Sequence, residues 1–394
     1  MLSTVSKMLF PPSDEPNLKF LNEDNQRIEP EWYCPIIPTI LVNGAEGIGT
    51  GYSTKVPNYD PRAIAENIRK MMNGEEPEEM LPWYKNFIGT ITKVDDTKYS
   101  VTGNIEVIDD TTLEITELPI GTWTQSYKES VLEPMLHGTD KVPPCITDYK
   151  EYHTETRVRF VITMAENKMR EAEQVGLHKK FKLEATINTS NMVLFDAMGC
   201  LKKYDTTREI LKEFFTLRME RYIMRKAYME GMLTAESGKL NSQARFILEK
   251  IEGTIVIENK PKRDLITMLV QRGYPSDPVK AWKDSQDTTL GVDDSDDDTM
   301  STVSSTASGA GGPDFNYLLN MSMWSLSQEK KDELLKQRDQ KAAELEDLRK
   351  KSPKDLWNED LDIFLAELEA VEQIEREDEM AMGKSKSGRA LKSK

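Results

Sequence analysis

One stretch combines residue types that could act directly on a ligand. It is PTILVNGAEGIGTGYSTKVP, residues 38–57: a β-prone run ending at Asn43, then Gly44, Gly47, Gly49 and Gly51 around one bulky side chain, Ile48. Glycines let a backbone approach another surface closely, and a lone apolar wedge among them can be pushed into something flat. A base-pair step is such a surface, and proteins that kink a duplex do so by inserting Ile, Leu, Phe or Met. Phosphate binding fits less well. No Lys followed by Ser or Thr closes the loop, Gly47, Gly49 and Gly51 alternate as GxGxG rather than GxGxxG, and Pro57 argues against a helix opening there. Composition leaves a second reading open, in which Ile48 fills a core beside a β-bulge, because isoleucine is mostly buried.

Other candidates for chemistry are sparse. Cys34, Cys145 and Cys200 form no CxxC pair and read as reduced thiols without zinc, and His137, His153 and His178 are equally scattered. Asp293, Asp294, Asp296, Asp297 and Asp298 look like metal ligands, but Ser, Thr and Gly flank them and they read as flexible linker. No catalytic residue, metal site or cofactor is expected.

The elements that must position residues 38–57 follow from periodicity. From Leu81 to about Met192, IGTITKV, YSVTGNIEVI, TTLEITEL and TRVRFVITM alternate apolar and polar residues between turns, which predicts a mainly antiparallel sheet. From Thr206 to about Ile251 the period becomes helical without a proline, giving a helix on the order of 70 Å. Such a helix needs a partner, and Ser327 to Ser352 supplies one with a stripe of Leu334, Leu335, Leu345 and Leu348. After Pro353 an acidic amphipathic helix places Leu356, Leu361, Phe364, Leu365 and Leu368 on one face.

The 394 residues carry a net charge of −16 and are 38% apolar, so bulk composition does not announce a nucleic-acid binder. No apolar run approaches the roughly 20 residues needed to span a bilayer, and no secretory signal is evident, so a soluble chain of two or three domains with no membrane partner is expected. Charge is unevenly placed. Residues 141–250 hold 20 Lys and Arg against 15 Asp and Glu, whereas residues 285–314 hold seven aspartates and no base, and residues 355–379 hold eleven acids against Arg376 alone. The middle of the chain is thereby left to face phosphates.

Glu29 to Pro61, EPEWYCPIIPTILVNGAEGIGTGYSTKVPNYDP, resembles the DNA-cleavage core of eukaryotic type IIA DNA topoisomerase, topoisomerase II. The likeness continues through LPWYKNFIGTI, ELPIGTWTQSYKE, CLKKYD, KLNSQARFILEKI, QRGYPSDPVKAWK and KSPKDLWNEDL, in the family's order. The resemblance implies an α+β fold. It comprises a winged-helix remnant at 1–31, a β-rich DNA-bending tower at 32–195, a first coiled-coil helix at 196–251 and an exit gate at 252–326 with an acidic linker at 285–312. A second coiled-coil helix with the acidic helix follows at 327–380, then a basic disordered tail at 381–394. The two long helices would form an antiparallel arm ending in a dimerisation gate.

By the same resemblance, Ile48 intercalates between base pairs, with Gly47 and Gly49 beside it, and Trp123 touches DNA, while the charge of Lys128 makes it a candidate phosphate contact or a plain surface charge. Composition alone allows Trp123 to be a half-buried sheet tryptophan. Arg157, Arg159, Lys179, Lys180 and Lys182 are further candidates for phosphate. The family's usual arginine two positions before the tryptophan is Gly121 here, which implies weaker phosphate binding. The family's nucleophile is a tyrosine preceded by arginine, upstream of the position that Met1 occupies, and its ATPase and metal-binding domains have no counterpart in the sequence. A non-catalytic protein of the nucleus and chromosome is therefore expected, binding and bending double-stranded DNA in chromosome segregation. Its expected assembly is a homodimer or a heterodimer with full-length topoisomerase II. The alternative is a fragment of an active ATP-dependent enzyme.

Overall fold

The computed structural model describes residues 3–24, 26–138, 143–154, 156–257, 260–289, 313–321 and 328–390, with the side chains of 287–289, 328, 379 and 382–390 excepted. The expected acidic linker falls largely on 290–312, outside the described residues, as do all five aspartates weighed as metal ligands. The chain divides into two compact units. One comprises Met1–Phe10, Cys34–Arg218 and Leu361–Lys394, and the other Pro11–Tyr33 and Met219–Asp360.

In the first unit the predicted alternation does form antiparallel sheets. A four-stranded sheet runs in the order Asn104–Asp109, Thr112–Glu117, Phe160–Thr163, Asp148–Glu151, every neighbour antiparallel. Leu113, Ile115, Phe160 and Ile162 point to one face and join a core with Tyr127, Leu132, Met169 and Phe181, as period-two alternation requires. The Tyr127 hydroxyl donates to the Phe181 carbonyl at 2.7 Å inside this core. A second, three-stranded sheet orders Glu184–Asn188, Lys98–Thr102 and Thr90–Asp95. Its smaller core holds Tyr99, Val101 and Ile187. Two further hairpins stand apart from these sheets, Ala45–Ile48 with Ser53–Val56 and Met192–Phe195 with Leu201–Tyr204.

The run before the glycines is not a strand. Residues Thr39–Asn43 form a short helix, with Leu41 fully buried, as are Ile36 and Ile37 just before it. Gly44 ends it at φ +64°, its N–H donating to the Ile40 carbonyl, and Asn58 Nδ2 satisfies the last carbonyls at Val42 and Asn43. Burial of Leu41 and this glycine stop outweigh the β-propensity of Ile and Val. A Cβ on Gly44 would lie 2.6 Å from both the Val56 carbonyl oxygen and Asn58 Oδ1. Gly44→Ala is therefore expected to destabilise the first unit by about 1–3 kcal/mol, measured as a shift in the denaturant midpoint; an unchanged midpoint would contradict this geometry.

The helix Pro61–Met72 is capped by Asp60, whose carboxylate accepts from the Arg62 N–H, and it buries Ile64, Ile68 and Met72 at helical spacing. Its basic residues meet the late acidic helix, Pro353–Ala390. Arg62 pairs with Glu369 and Glu372, Arg69 with Asp362, and Lys85, beyond the helix, with Glu375. The late acidic run is thus partly a docking strip, with Leu361 and Phe364 buried on its inner side. The helix also continues to Ala390 where a disordered tail was expected from 381, since no proline interrupts it; residues 391–394 lie outside the described residues.

In the second unit, Phe20–Glu23 and Gln26–Pro30 form a hairpin whose turn includes Asp24 at φ +48°. The helix Thr207–Ile251 spans 45 residues, and its part from Met219 onward belongs here. The helix Gln328–Lys350 lies antiparallel to that part: Lys226 donates to the Arg349 carbonyl, Glu236 pairs with Lys341, and Leu334 packs on Ala244 and Ile247. Beyond them, Phe246, Ile255, Leu269, Tyr274, Phe315 and Leu318 make a separate cluster.

Candidate nucleic-acid interface

Ala45–Ile48 pairs with Ser53–Val56 in register Ala45 to Val56 through Ile48 to Ser53. Gly49 N donates to the Tyr52 carbonyl at 2.7 Å and closes the tip, where Gly51 takes φ +81°. Ile48 stands at this tip 95% exposed, which excludes the core reading. A free isoleucine forgoes roughly 1.5–3 kcal/mol of burial, so its placement is informative. The hairpin is held along its second strand, Ser53–Val56. Glu46 and Lys55 pair across it at 2.9 Å, Lys55 N donates to the Asn191 carbonyl, and Thr54 Oγ1 accepts from Val193 N. Asn191 Nδ2 also donates to Ser53 Oγ.

Gly47 and Gly49 are exposed on this tip. A Cβ on Gly47 would meet nothing within 4 Å, and one on Gly49 would only reach ordinary contact with the Tyr52 carbonyl. The protein's own packing does not demand glycine at either place; what their small size leaves open is the space outside the tip. The side chains of the tip itself, Ile48, Thr50 and Tyr52, include no carboxylate, amine, imidazole or thiol.

Trp123 is not in a sheet. It immediately precedes the helix Thr124–Tyr127 and is 79% exposed, so the half-buried alternative fails. The Pro119 carbonyl accepts from Thr122 N, and Gly121 takes φ +82° in this turn, a conformation an arginine would adopt only under strain. Lys128 begins the π-helical segment Lys128–Leu132 and is held by Glu151 at 2.7 Å, which raises its ammonium above the usual range. It would have to exchange that carboxylate for phosphate. Arg159 is similarly paired with Glu114, whereas Lys179, Lys180 and Lys182 make no ion pair among the described residues. The site residues thus fall in two groups, the hairpin tip and the Trp123–Lys128 segment.

An arginine and a tyrosine stand side by side at Arg221 and Tyr222, but not as a reactive pair. Tyr222 is fully buried, stacks on Trp357 at 5.2 Å and donates to Asp360 at 2.7 Å. Among the described residues, no group of three or more His, Cys, Asp or Glu could hold a metal ion. No described helix is long and apolar enough to cross a membrane.

Residues 1–362 match the family model of the DNA gyrase/topoisomerase IV A-subunit. The chain belongs to this family. Its similarity to the eukaryotic topoisomerases II extends over the whole sequence. It is 59% identical over 396 aligned residues to human DNA topoisomerase 2-beta, covering 100% of this chain and 24% of that protein. To Cricetulus griseus DNA topoisomerase 2-alpha it is 57% identical over 390 residues, covering 99% of this chain and 25% of the relative. The chain therefore spans about a quarter of the length of these topoisomerases. The crystal structure of the Plasmodium falciparum topoisomerase II DNA-binding, cleavage and re-ligation domain superposes with a TM-score of 0.77 at 37% identity, over 96% of this chain and 50% of that one.

Two exposed apolar features of the first unit were not singled out from the sequence: Tyr52, 60% exposed beside Ile48, and the second hairpin's tip. The latter carried a readable signal, since Phe195, Met198 and Leu201 surround a Gly-containing turn.

Proposed function

We propose that this chain binds double-stranded DNA and bends it by driving Ile48 into a base-pair step. The observation that carries the proposal is the 95% exposure of Ile48 on a hairpin braced along Ser53–Val56 by the neighbouring strand. A wedge must be free at its end and fixed at its root, because unstacking costs a few kcal/mol per step. Gly47 and Gly49 let the duplex approach the strand, and Trp123 supports the flanking duplex together with Lys179, Lys180 and Lys182. Lys128 joins them if phosphate displaces Glu151. In this reading residues 32–195 are the DNA-bending tower. The antiparallel helices form a coiled-coil arm, and the cluster at 252–326 is a gate where two copies, or one copy and a full-length topoisomerase II, meet. Its place is the nucleus and the chromosome, where it holds and shapes duplexes during segregation without cutting them.

The 59% identity over 396 residues to human DNA topoisomerase 2-beta favours a second reading, in which the same residues are a working part of an ATP-dependent type IIA topoisomerase. One experiment separates the two. The chain alone is incubated with duplex DNA and trapped with denaturant; binding without any covalent adduct is expected, and an adduct would overturn the non-catalytic reading. In parallel, residues 1–394 replace the matching stretch of human topoisomerase 2-beta. Supercoil relaxation by that chimera would support the second reading, and its loss with duplex binding intact the first. Binding itself should weaken steeply with salt, log K falling by about 0.9 per phosphate neutralised for each decade of salt.

A further inference from the structure

The hairpin Met192–Phe195/Leu201–Tyr204 lies beside the Ile48 hairpin and points the same way. Lys55 N donates to the Asn191 carbonyl, and one residue nearer the Ile48 tip, Thr54 Oγ1 accepts from Val193 N. Moving along Ser53–Val56 toward its tip is therefore moving along Met192–Phe195 toward its own. The second turn is firmly built. Asp196 Oδ1 accepts from both Met198 N and Cys200 N at 2.9 Å, and Asp196 N donates to the Cys200 carbonyl at 2.9 Å. This frame holds Met198 85% and Phe195 71% exposed, an apolar load comparable to that on the first tip.

Basic charge follows the apolar residues. Lys202 and Lys203 stand on the returning strand; Lys202 is held by Glu213, while Lys203 makes no ion pair among the described residues. An apolar tip with an open cation behind it suits a nucleic-acid groove, whose sugar edges are apolar and whose rims are phosphate. Continuity with the Ile48 hairpin argues for the same duplex.

We propose that the turn from Phe195 to Leu201 is a second duplex contact, seating Phe195 and Met198 against the groove next to the step that Ile48 opens. Lys203 meets the adjacent phosphate. The two tips act as a fork: one prises, and the other steadies the flanking pair. This rests on the DNA-binding reading above, and its test is arranged so that the two can fail separately.

Cys200 provides the test, being the exposed cysteine in the turn, with Cys34 buried and Cys145 half-buried. Maleimide labelling of Cys200 is followed by peptide mass analysis with and without a saturating duplex, binding being measured independently by fluorescence anisotropy of the duplex. Duplex should slow labelling at Cys200 by about tenfold or more, and Phe195→Ser with Met198→Ser should weaken duplex binding by about tenfold. Cys145 labelling and the thermal midpoint should be unchanged. An unchanged labelling rate on chains that bind and bend duplex would overturn the second contact while leaving the Ile48 reading standing. Protection that rises with protein concentration in the absence of DNA would also overturn it, marking the tip as a contact between copies. Absence of duplex binding altogether would remove the parent reading first.

Discussion

Replacing Ile48 with alanine is expected to abolish most of the bend this protein imposes on a duplex while leaving the fold intact. The side chain is 95% exposed and supports no core, so the stability change should stay within about 0.5 kcal/mol. Bending depends on it differently. Opening a step costs a few kcal/mol, and the wedge offsets this by filling the gap with apolar surface. Alanine retains one methyl of that volume and cannot hold two base pairs apart. Affinity should fall much less than the bend, because phosphate contacts made by other residues remain. Energy transfer between dyes at the two duplex ends reads the result directly. Transfer close to that of free duplex is expected for Ile48→Ala, and transfer equal to wild type would refute the wedge.

The largest stability effect should come from the second unit. Arg225 is buried with Asp360 at 2.6 Å, Asp14 at 3.8 Å, and the Tyr222 ring 5.3 Å from its guanidinium. Asp360 also accepts from the Tyr222 hydroxyl, and Tyr222 stacks on the fully buried Trp357. One carboxylate therefore joins the long helix to residues 353–360. Asp360→Ala removes the carboxylate that the guanidinium and the phenol share and leaves Arg225 with only the more distant Asp14 carboxylate at 3.8 Å, which costs about 3–5 kcal/mol. Asp360→Asn keeps an acceptor oxygen and should lose less. Chemical denaturation distinguishes the cases, and a loss under about 1 kcal/mol for the alanine variant would show that Arg225 finds water or another acceptor. Neither variant touches the hairpin tip, so bending per bound chain should be preserved.

What could be read in advance and what could not divides along physical lines. The strands of the first unit were legible because Leu113, Ile115, Phe160 and Ile162 recur every second residue and all face one core. The 45-residue helix was legible because nothing between Thr207 and Ile251 breaks it. Residues Thr39–Asn43 misled because a five-residue helix is decided by tertiary burial of Leu41 and the stop at Gly44, not by propensity. Charge misled in a related way. The acidic run from 355 reads as part of an amphipathic helix, but nothing local shows that Arg62, Arg69 and Lys85, about 300 residues upstream, supply its counter-charges. Lys128 reads as a free cation until Glu151 is placed beside it. Local patterns fix periodicity; they do not fix which distant acid meets which base. For Ile48 the residues themselves left core and wedge both open, and only its placement at the end of a two-stranded hairpin excluded the core.

The most direct test of the account is whether a base step opens at Ile48. A fluorescent adenine analogue, whose emission rises when it loses its stacking neighbour, is placed in turn at each position across the bound duplex, and the full chain is added at saturating concentration. A sharp rise is expected only at the steps that bound Ile48 side chains enter, one for each bound copy, present with wild type and absent with Ile48→Ala at equal occupancy. Emission that stays flat at every position with wild type bound, or that rises equally with the alanine variant, would contradict it.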